Sequence, residues 1–233
     1  ITSMVIRTNT IDSLMVFTNL GKMYRLLVDD IPVGTNITKG QSIKSLISME
    51  PNEVPTVIYS IYRDTDAKYV FFTTKNGTVK KTALEEYVNT KKKTGIAAIT
   101  LREGDSLASV CLVKDEDMVL LTKNGMGIRF SSTDVGATSR ATIGIKGMNF
   151  KADDEIVVAM PVRHKEDDLA IFSSVGTGKK FPVSELPTQN RGGKGLICHK
   201  VSAAAGNIAA AALVSDGDSL LLCGDKTGIC VQA

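Results

Sequence analysis

The chain repeats one short pattern along its 233 residues. Each copy has an apolar segment, a turn with glycine, a basic segment and a loop that ends on a second glycine. Four complete copies occupy residues 13–40, 68–95, 117–144 and 168–195. A fifth copy starts near residue 218. The turn glycines are Gly21, Gly77, Gly125, Gly176 and Gly228, at successive spacings of 56, 48, 51 and 52 residues. A period near fifty made of short strands predicts a propeller or a similar radial array.

The second copy shows how one repeat is expected to fold. Segments 69–74 and 78–82 are rich in β-forming residues, and Asn76-Gly77 between them favours a hairpin turn. Segments 96–101 and 107–113 are two further candidate strands. We therefore predict an all-β fold in which each repeat forms one blade of four short antiparallel strands. Residues 1–233 are predicted to form a single domain of about five blades. The first strands should supply the core residues Val16, Phe72, Leu120, Ile171 and Leu221.

Charge is distributed unevenly along the repeats, although the net charge is only +3. Lysines and arginines lie in the repeat loops and second strands. Acidic residues gather at the junctions between repeats, as at residues 115–117 and 166–168. If equivalent positions share a face, the small net charge conceals a basic face and an acidic one. The alternative is that these charges mark solvated turns.

No residue pattern in the chain predicts catalysis. The two histidines, His164 and His199, have no nucleophile pattern or metal-ligand spacing nearby. Gly176-Thr177-Gly178-Lys179 lacks the first glycine of a phosphate loop, and Lys180 stands where that loop needs Ser or Thr. The junction carboxylates recur in almost every copy, which is typical of turn residues and not of a glycosidase pair. We predict no catalytic site, no metal site and no cofactor.

The cysteines and the apolar segments indicate the cellular setting. Cys111, Cys198, Cys223 and Cys230 show no CxxC spacing, which favours reduced thiols. The chain has no signal peptide at its start, and its longest apolar run, residues 208–214, is too short to span a membrane. We expect a cytoplasmic protein, without a membrane partner, and a chain that is a fragment of a larger one.

The glycine-rich loop 189–195 is the strongest candidate for ligand binding. Gly192, Gly193 and Gly195 allow backbone N–H groups to approach an anion, and Arg191 and Lys194 add positive charge. Equivalent loops at residues 35–40, 90–95 and 139–144 also carry basic residues. A series of such loops would bind a bent duplex by its phosphates without reading its sequence.

The predicted DNA-binding residues fall into two groups. The loop residues are Lys39, Lys91, Lys92, Lys93, Arg140, Gln189, Arg191, Gly192, Gly193, Lys194 and Gly195. Lysines on or beside the second, return strands are predicted to flank them, and these are Lys80, Lys81, Lys179 and Lys180.

Several segments resemble a known family. Gln189-Asn190-Arg191-Gly192-Gly193-Lys194-Gly195 is similar to the Gln-Arg-Arg-Gly-Gly-Lys-Gly box of the DNA gyrase A subunit, with Asn190 in place of the first Arg. Segments 76–82 and 17–24 also resemble strand-turn-strand segments of that subunit's C-terminal domain. The resemblance covers essentially the whole chain. The family's box usually lies in the first blade, whereas the best match here lies in the fourth complete repeat.

The resemblance implies the C-terminal β-pinwheel of the A subunit from a bacterial type II topoisomerase, either gyrase or its paralogue topoisomerase IV. In that family the domain wraps a DNA segment and presents it to the cleavage core for supercoiling. The implied partners are double-stranded DNA, the ATPase B subunit, and the rest of the A subunit. The cleavage tyrosine and the ATPase belong to other parts of the enzyme, so this chain alone is expected to be non-catalytic.

Two other classes of protein share the predicted architecture. A protein-interaction propeller would use the same surface to bind a polypeptide, and a propeller enzyme would need a convergent polar cluster. Protein interfaces depend on aromatic anchors. This chain has no Trp, and only 5% of its residues are aromatic. The recurring loop cations therefore favour DNA.

Overall fold

The computed structural model describes residues 4, 6–61, 65–90, 94–223 and 228–232. They divide into two compact units. The N-unit comprises the described parts of 6–114 together with 135–145, and the C-unit comprises residue 4 and the described parts of 115–134 and 146–233. Each unit is described by itself below, and the single domain predicted for residues 1–233 stays a prediction.

Short strands account for most of the regular structure. In chain order they are β1 (Ser13–Thr18), β2 (Lys22–Leu27), β3 (Pro55–Ile61), β4 (Tyr69–Thr74), β5 (Thr78–Ala83), β6 (Ile96–Ala97), β7 (Leu107–Val113), β8 (Asp117–Thr122), β9 (Met126–Ser131), β10 (Ile145–Lys146), β11 (Ile156–Val162), β12 (Asp168–Ser173), β13 (Gly178–Pro182), β14 (Leu196–Ile197), β15 (Ile208–Val214), β16 (Ser219–Cys223) and β17 (Gly228–Gln232). One short helix, α1 (Glu85–Val88), follows β5. Single 3-10 turns lie at Val28–Asp30, Ile43–Ser45, Ser132–Asp134 and Val183–Glu185.

The strands form small antiparallel sheets, which confirms the all-β prediction. The N-unit contains the sheets β3-β1-β2-β6 and β10-β5-β4-β7. The described part of the C-unit contains β11-β8-β9-β14, the three-stranded sheet β13-β12-β15 and the hairpin β16-β17. Each four-stranded sheet is one blade.

The third strand of a repeat does not join its own blade, which corrects the prediction of one blade per repeat. β6 comes from the second repeat but pairs with β2 of the first, with Ile96 opposite Met23. β14 comes from the fourth repeat and pairs with β9 of the third, with Leu196 opposite Gly127. The return strands β2 and β9 each have an edge that their own repeat leaves unpaired, and the exchanged strand pairs with the first two residues of that edge.

The second glycine of a repeat is where the chain crosses onto the preceding blade. A Cβ at Gly144 would lie 2.5 Å from the carbonyl oxygen of Val79, and one at Gly195 would lie 2.1 Å from that of Gly127. Both glycines have positive φ angles, +95° and +72°. Gly40 of the first repeat has nothing within 4 Å of its Cβ position. The later second glycines are therefore required by close packing between blades.

Four of the five predicted turn glycines lie in hairpins. Gly21, Gly77, Gly125 and Gly176 have φ angles between +74° and +92°, as the hairpin prediction requires. Gly228 differs from them, because it is the first residue of β17 and pairs with Cys223. The turn of that hairpin lies outside the described residues.

Four of the five predicted core residues are buried, and one is not. Val16, Phe72, Leu120 and Ile171 are fully buried, whereas the Leu221 side chain is 61% exposed. In the described part of the chain the β16-β17 hairpin pairs with no third strand, so the surface around Leu221 is not covered as in the other blades. The core prediction for Leu221 is wrong for this reason.

Each unit has a hydrophobic core that joins neighbouring blades. In the N-unit the rings of Phe17, Phe72 and Tyr87 meet with centroids 5.6–6.0 Å apart, linking β1, β4 and α1. In the C-unit Leu121 and Ile171 lie in one cluster that links β8 with β12. No helix in the described ranges is both long enough and apolar enough to cross a bilayer.

Candidate nucleic-acid interface

Two of the basic loops dock on the preceding blade in the same way. The backbone N–H of Thr138 donates to the carbonyl of Lys81, and that of Gln189 donates to the carbonyl of Arg129, both at 2.8 Å. Lys81 and Arg129 occupy the same register on their return strands, opposite the third residue of β4 and of β8. Arg140 and Arg191 therefore occupy equivalent positions, each four residues before a second glycine.

Arg140 lies at the surface of the N-unit beside α1. Its guanidinium Nε is 3.7 Å from Glu86 Oε2, and its backbone N–H donates to the same oxygen at 3.3 Å. The side chain is partly exposed. Glu86 thus orients the arginine while a part of the guanidinium faces solvent.

Arg191 lies at the surface of the C-unit and is held by carbonyl groups. Its Nε donates to the carbonyl of Asp134 and its Nη1 to that of Lys146, both at 3.1 Å. Asp134 is the third residue after β9, and Glu86 is the third residue after β5. Both arginines therefore contact the equivalent residue of the preceding repeat. A guanidinium has five N–H donors, and these two bonds use two of them.

The glycines of loop 189–195 have a structural role that the sequence analysis did not foresee. The N–H of Gly192 donates to the carbonyl of Gly147 at 2.6 Å, and the carbonyl of Gly193 accepts from Asn149 N at 2.9 Å. The N–H of Gln189 is engaged with Arg129 as described above. The prediction that backbone N–H groups approach an anion is therefore wrong for Gly192, and DNA contact by Gln189 stays a prediction. The side chains of Arg191 and Lys194 are exposed, and they remain candidates for phosphate contact.

Lys80 and Lys81 do not lie on an accessible surface, which corrects their assignment as flanking contacts. Their side chains are 1% and 6% exposed. Lys81 Nζ lies 4.8 Å from the centroid of the Tyr69 ring. Lys80 Nζ lies against the Phe72 ring and donates to the Arg140 carbonyl of the loop that docks on β5, so a loop of the next repeat covers it. Burial, partly opposed by the Glu86 carboxylate and reinforced by the Arg140 guanidinium, lowers the pKa of Lys80 to about 8.

Lys179 and Lys180 occupy the same register on β13 but are exposed. Lys179 Nζ lies 5.1 Å from the centroid of the Phe181 ring, and Lys180 Nζ lies 3.3 Å from Asp168 Oδ2. In the described chain β13 is the outer strand of its sheet. These two lysines, together with exposed Lys39, remain candidates for phosphate contact.

Lys91, Lys92 and Lys93 lie outside the described residues, so their assignment stays a prediction. Counting back from Gly95 places Lys91 four residues before a second glycine, the position that Arg140 and Arg191 share. Counting in the same way places Lys39 directly before the second glycine Gly40, and Lys194 directly before the second glycine Gly195. Sequence comparison among the repeats could have revealed both recurring positions.

Lys151 is a candidate that the sequence analysis missed. It lines a groove beside loop 189–195 together with Lys194, Asn149 and Asn124. Lys151 begins the turn before β11, as Arg102 begins the turn before β7: the N–H of Asp154 donates to the Lys151 carbonyl at 3.1 Å, and that of Asp105 donates to the Arg102 carbonyl at 3.0 Å. A comparison of these two turns in the sequence could have pointed to it.

Three of the junction acids pair with neighbouring parts of the fold, whereas others, such as Asp115 and Glu166, are exposed, so an acidic face stays a prediction. Asp117 Oδ2 accepts from Arg129 Nε at 2.8 Å, and Glu116 Oε1 accepts from Arg163 Nη1 at 3.2 Å. Asp167 is buried and accepts from the Ser215 hydroxyl at 2.6 Å. These carboxylates fix the start of a first strand to other parts of the fold, so they are more than solvated turn residues.

Two arginines with a structural role share the register of Lys81. Arg25 Nη1 donates to the carbonyls of Val88 and Thr90, at 3.1 and 3.0 Å. Arg129 Nη1 donates to the carbonyl of Val183 at 3.2 Å. Each side chain therefore connects its blade to the segment that follows the return strand of the next repeat. Among the residues that the structure places, no three His, Cys, Asp or Glu side chains cluster as metal ligands.

Comparison with known proteins places these features in one family. The sequence model of the family described as "DNA gyrase C-terminal domain, beta-propeller" matches residues 12–53, 68–113, 116–163 and 167–215. The chain is 35% identical over 220 residues to the DNA gyrase A subunit of Lawsonia intracellularis, a match that covers 93% of this chain and 27% of that protein. It thus spans about a quarter of the length of this relative.

Two solved structures have the same fold over nearly the whole chain. The C-terminal domain of a DNA topoisomerase IV superposes with a TM-score of 0.84 and 27% identity, over 96% of this chain and 70% of that one. A DNA gyrase A C-terminal domain superposes with a TM-score of 0.77 and 30% identity, over 91% of this chain and 69% of that one.

Proposed function

The chain belongs to the family of DNA gyrase C-terminal domains with a β-propeller fold, and we propose that it binds and bends double-stranded DNA as a non-catalytic part of a bacterial type II topoisomerase. It binds the phosphate backbone, so binding does not depend on base sequence. A bent path lets successive loops reach the same duplex, and their additional phosphate interactions offset the cost of bending.

The observation that carries this proposal is the recurrence of one basic position. Arg140 and Arg191 lie four residues before a second glycine, in loops anchored by equivalent hydrogen bonds to the preceding return strand. Lys91 shares that position by sequence. A guanidinium held in a fixed place suits phosphate, because it can donate two parallel hydrogen bonds to one anion. A single ligand pocket would not need this position to recur.

The proposed contact set combines these loops with the exposed lysines near them. It consists of Lys39, Lys91, Lys92, Lys93, Arg140, Arg191, Lys194, Lys179 and Lys180. Each contact contributes modestly, since a long path spreads the binding energy over many phosphates.

Salt titration of duplex binding tests this function. If about five phosphates are neutralised, log K should fall against log salt with a slope of roughly −4 to −5. Two duplexes of unrelated sequence should give the same slope and similar affinity. Binding that ignores salt, or that singles out one sequence, would contradict backbone contact and favour the alternative of a protein-interaction propeller.

The rest of the enzyme is part of the proposal. The chain's relatives are A subunits of DNA gyrase, which supports a role in gyrase. The proposed location is the cytoplasm. The proposed partners are an ATPase B subunit and the remainder of an A subunit. The similarity to a topoisomerase IV C-terminal domain favours that paralogue as the second candidate. Assembly of the complete enzyme with ATP separates them: negative supercoiling of relaxed plasmid supports gyrase, and decatenation without supercoiling supports topoisomerase IV.

A further inference from the structure

Lys80 is a buried cation that reaches a loop of the next repeat. Its Nζ donates to the Thr82 hydroxyl at 2.8 Å, the Ala98 carbonyl at 2.7 Å and the Arg140 carbonyl at 2.8 Å. An ammonium has three N–H donors, so these acceptors use all of them. Its Nζ also lies 5.0 Å from the centroid of the Phe72 ring. None of the three hydrogen-bond acceptors is a carboxylate, which makes this an unusual place for a lysine.

The fold itself does not need a cation at this position. Ile128 occupies the same register on β9, opposite the fourth residue of its first strand. The loop that ends at Gly195 packs closely on Ile128, with 3.2 Å between the Cβ position of the glycine and the isoleucine Cβ. An apolar side chain at this register is thus compatible with an exchanged strand. Because burying a charge is costly, Lys80 must contribute something that Ile128 does not.

Lys80 acts on the backbone of a residue in the proposed contact set. The carbonyl of Arg140 accepts from Lys80, while the N–H of Arg140 donates to Glu86 Oε2. Both backbone groups of the residue are therefore fixed. Fixing the backbone on either side of Cα limits the directions that the guanidinium can take.

We propose that Lys80 is a positioning residue for DNA binding, whose buried ammonium holds the Arg140 carbonyl and so directs the Arg140 guanidinium toward a phosphate of the duplex. This inference rests on the proposed function. Lys80 itself does not touch DNA, since its side chain is fully enclosed.

The protonation of Lys80 gives the arrangement a pH dependence. Burial lowers its pKa to about 8, and a neutral amine has two N–H donors for three acceptors. The other ionisable groups facing it are Glu86 and Tyr87 on α1 and Arg140 on the loop. Burial raises the pKa of Tyr87 above its usual value near 10. The unfolded chain holds the Lys80 proton more tightly, so global stability does not fall as Lys80 deprotonates.

A double-mutant cycle on DNA affinity tests the proposal. Arg140→Ala should weaken binding by about three- to tenfold at fixed salt, as the loss of one phosphate contact implies. Lys80→Ile, which introduces the residue type of the third blade, should weaken it by a similar factor, and the double variant should bind like Arg140→Ala. The matched control is Lys179→Ile, at the same register on β13. When it is combined with Arg140→Ala, the fold-loss of DNA affinity should equal the product of the two single fold-losses. Lys80→Met serves as a second variant if Lys80→Ile unfolds at a clearly lower temperature than the wild type.

Two further measurements distinguish a positioning role of Lys80 from a general loss of structure in the Lys80→Ile variant. Wild-type affinity should fall between pH 7 and 9 by about the factor seen for Lys80→Ile, and the Lys80→Ile variant should show no such change. Without DNA, Lys80→Ile should speed hydrogen exchange at Thr138, which donates to Lys81, and at Thr100, which donates to Thr142. Lys179→Ile should leave both amides unchanged.

The outcomes distinguish this inference from the proposed function. If the wild-type chain does not bind duplex DNA, both fail. If Arg140→Ala weakens binding while Lys80→Ile binds like wild type, or if their effects multiply, only the positioning role of Lys80 is overturned.

Discussion

Glu53 is a single buried carboxylate whose surroundings determine how the first blade responds to acid. It has no exposed surface. Its oxygens accept from the Thr18 hydroxyl at 2.5 Å, the Tyr24 hydroxyl at 2.6 Å and the Glu50 N–H at 2.9 Å. Burial alone would raise the pKa of Glu53, but these donors and nearby Lys22 outweigh it and lower the pKa. The charged form is therefore the one that the fold stabilises.

Replacing Glu53 by Gln should destabilise the chain at pH 7 by about 1–3 kcal/mol, because three donors lose a charged acceptor. Since the folded pKa is depressed, the contribution of Glu53 is present above its unfolded pKa and is lost as pH falls through the folded value. Urea unfolding at pH 7 and at pH 3 measures this, and the difference between Glu53→Gln and wild type should shrink at pH 3.

The matched control is Glu50→Gln. Glu50 pairs with Lys22 at the surface, and such exposed pairs contribute less than about 1 kcal/mol. Equal losses for the two variants would contradict the role given to the buried network.

At the scale of elements, the exchanged strands depend on glycine at the crossing. Gly195→Ala should destabilise the C-unit by at least about 1–2 kcal/mol, because the new Cβ meets the Gly127 carbonyl and the positive φ is strained. Hydrogen exchange should quicken at Cys198 and His199, whose N–H groups both donate to the Gly125 carbonyl.

Gly40→Ala is the control for that substitution. Gly40 has open space around its Cβ position and a φ outside the left-handed region. It should change stability by no more than about 0.5 kcal/mol. If Gly40→Ala lowered the free energy of unfolding as much as Gly195→Ala, the destabilisation by Gly195→Ala would not come from packing between blades.

For the whole molecule, losing several contacts should abolish DNA bending before it abolishes binding. Bending a stiff duplex costs on the order of several kcal/mol, whereas each phosphate contact is modest. Two variants test this: Lys91, Lys92 and Lys93 changed together to Ala, and Arg191 with Lys194 changed to Ala. Fluorescence energy transfer between the ends of a labelled duplex reports bending, and filter binding reports affinity.

Lys165→Ala provides the control for charge alone, since Lys165 is exposed at a repeat junction and outside the basic loops. It should leave energy transfer unchanged. If the triple lysine variant and the Arg191/Lys194 double variant both remain folded and bend DNA like the parent, the DNA contact has been assigned to the wrong residues.

Much of this fold and part of the candidate site could be predicted from the sequence, because their causes are local. Asn76-Gly77 and the other turn glycines specify hairpins through their own backbone angles, and the repeat period then implies one blade after another. The loop arginines recur at a constant distance from a glycine, so counting along the chain finds them. Those features are determined by residues that are close in sequence.

Tertiary structure alone decided which blade each third strand joins and which lysines can meet a ligand. Lys80 and Lys179 occupy the same register of return strands, and each precedes a second lysine. Lys80 is buried and Lys179 is exposed. The difference lies in residues from another repeat: the loop that carries Arg140 contacts Lys80, and in the described chain no segment of a later repeat pairs with β13. Burial depends on neighbours that are distant in sequence, so a local pattern cannot report it.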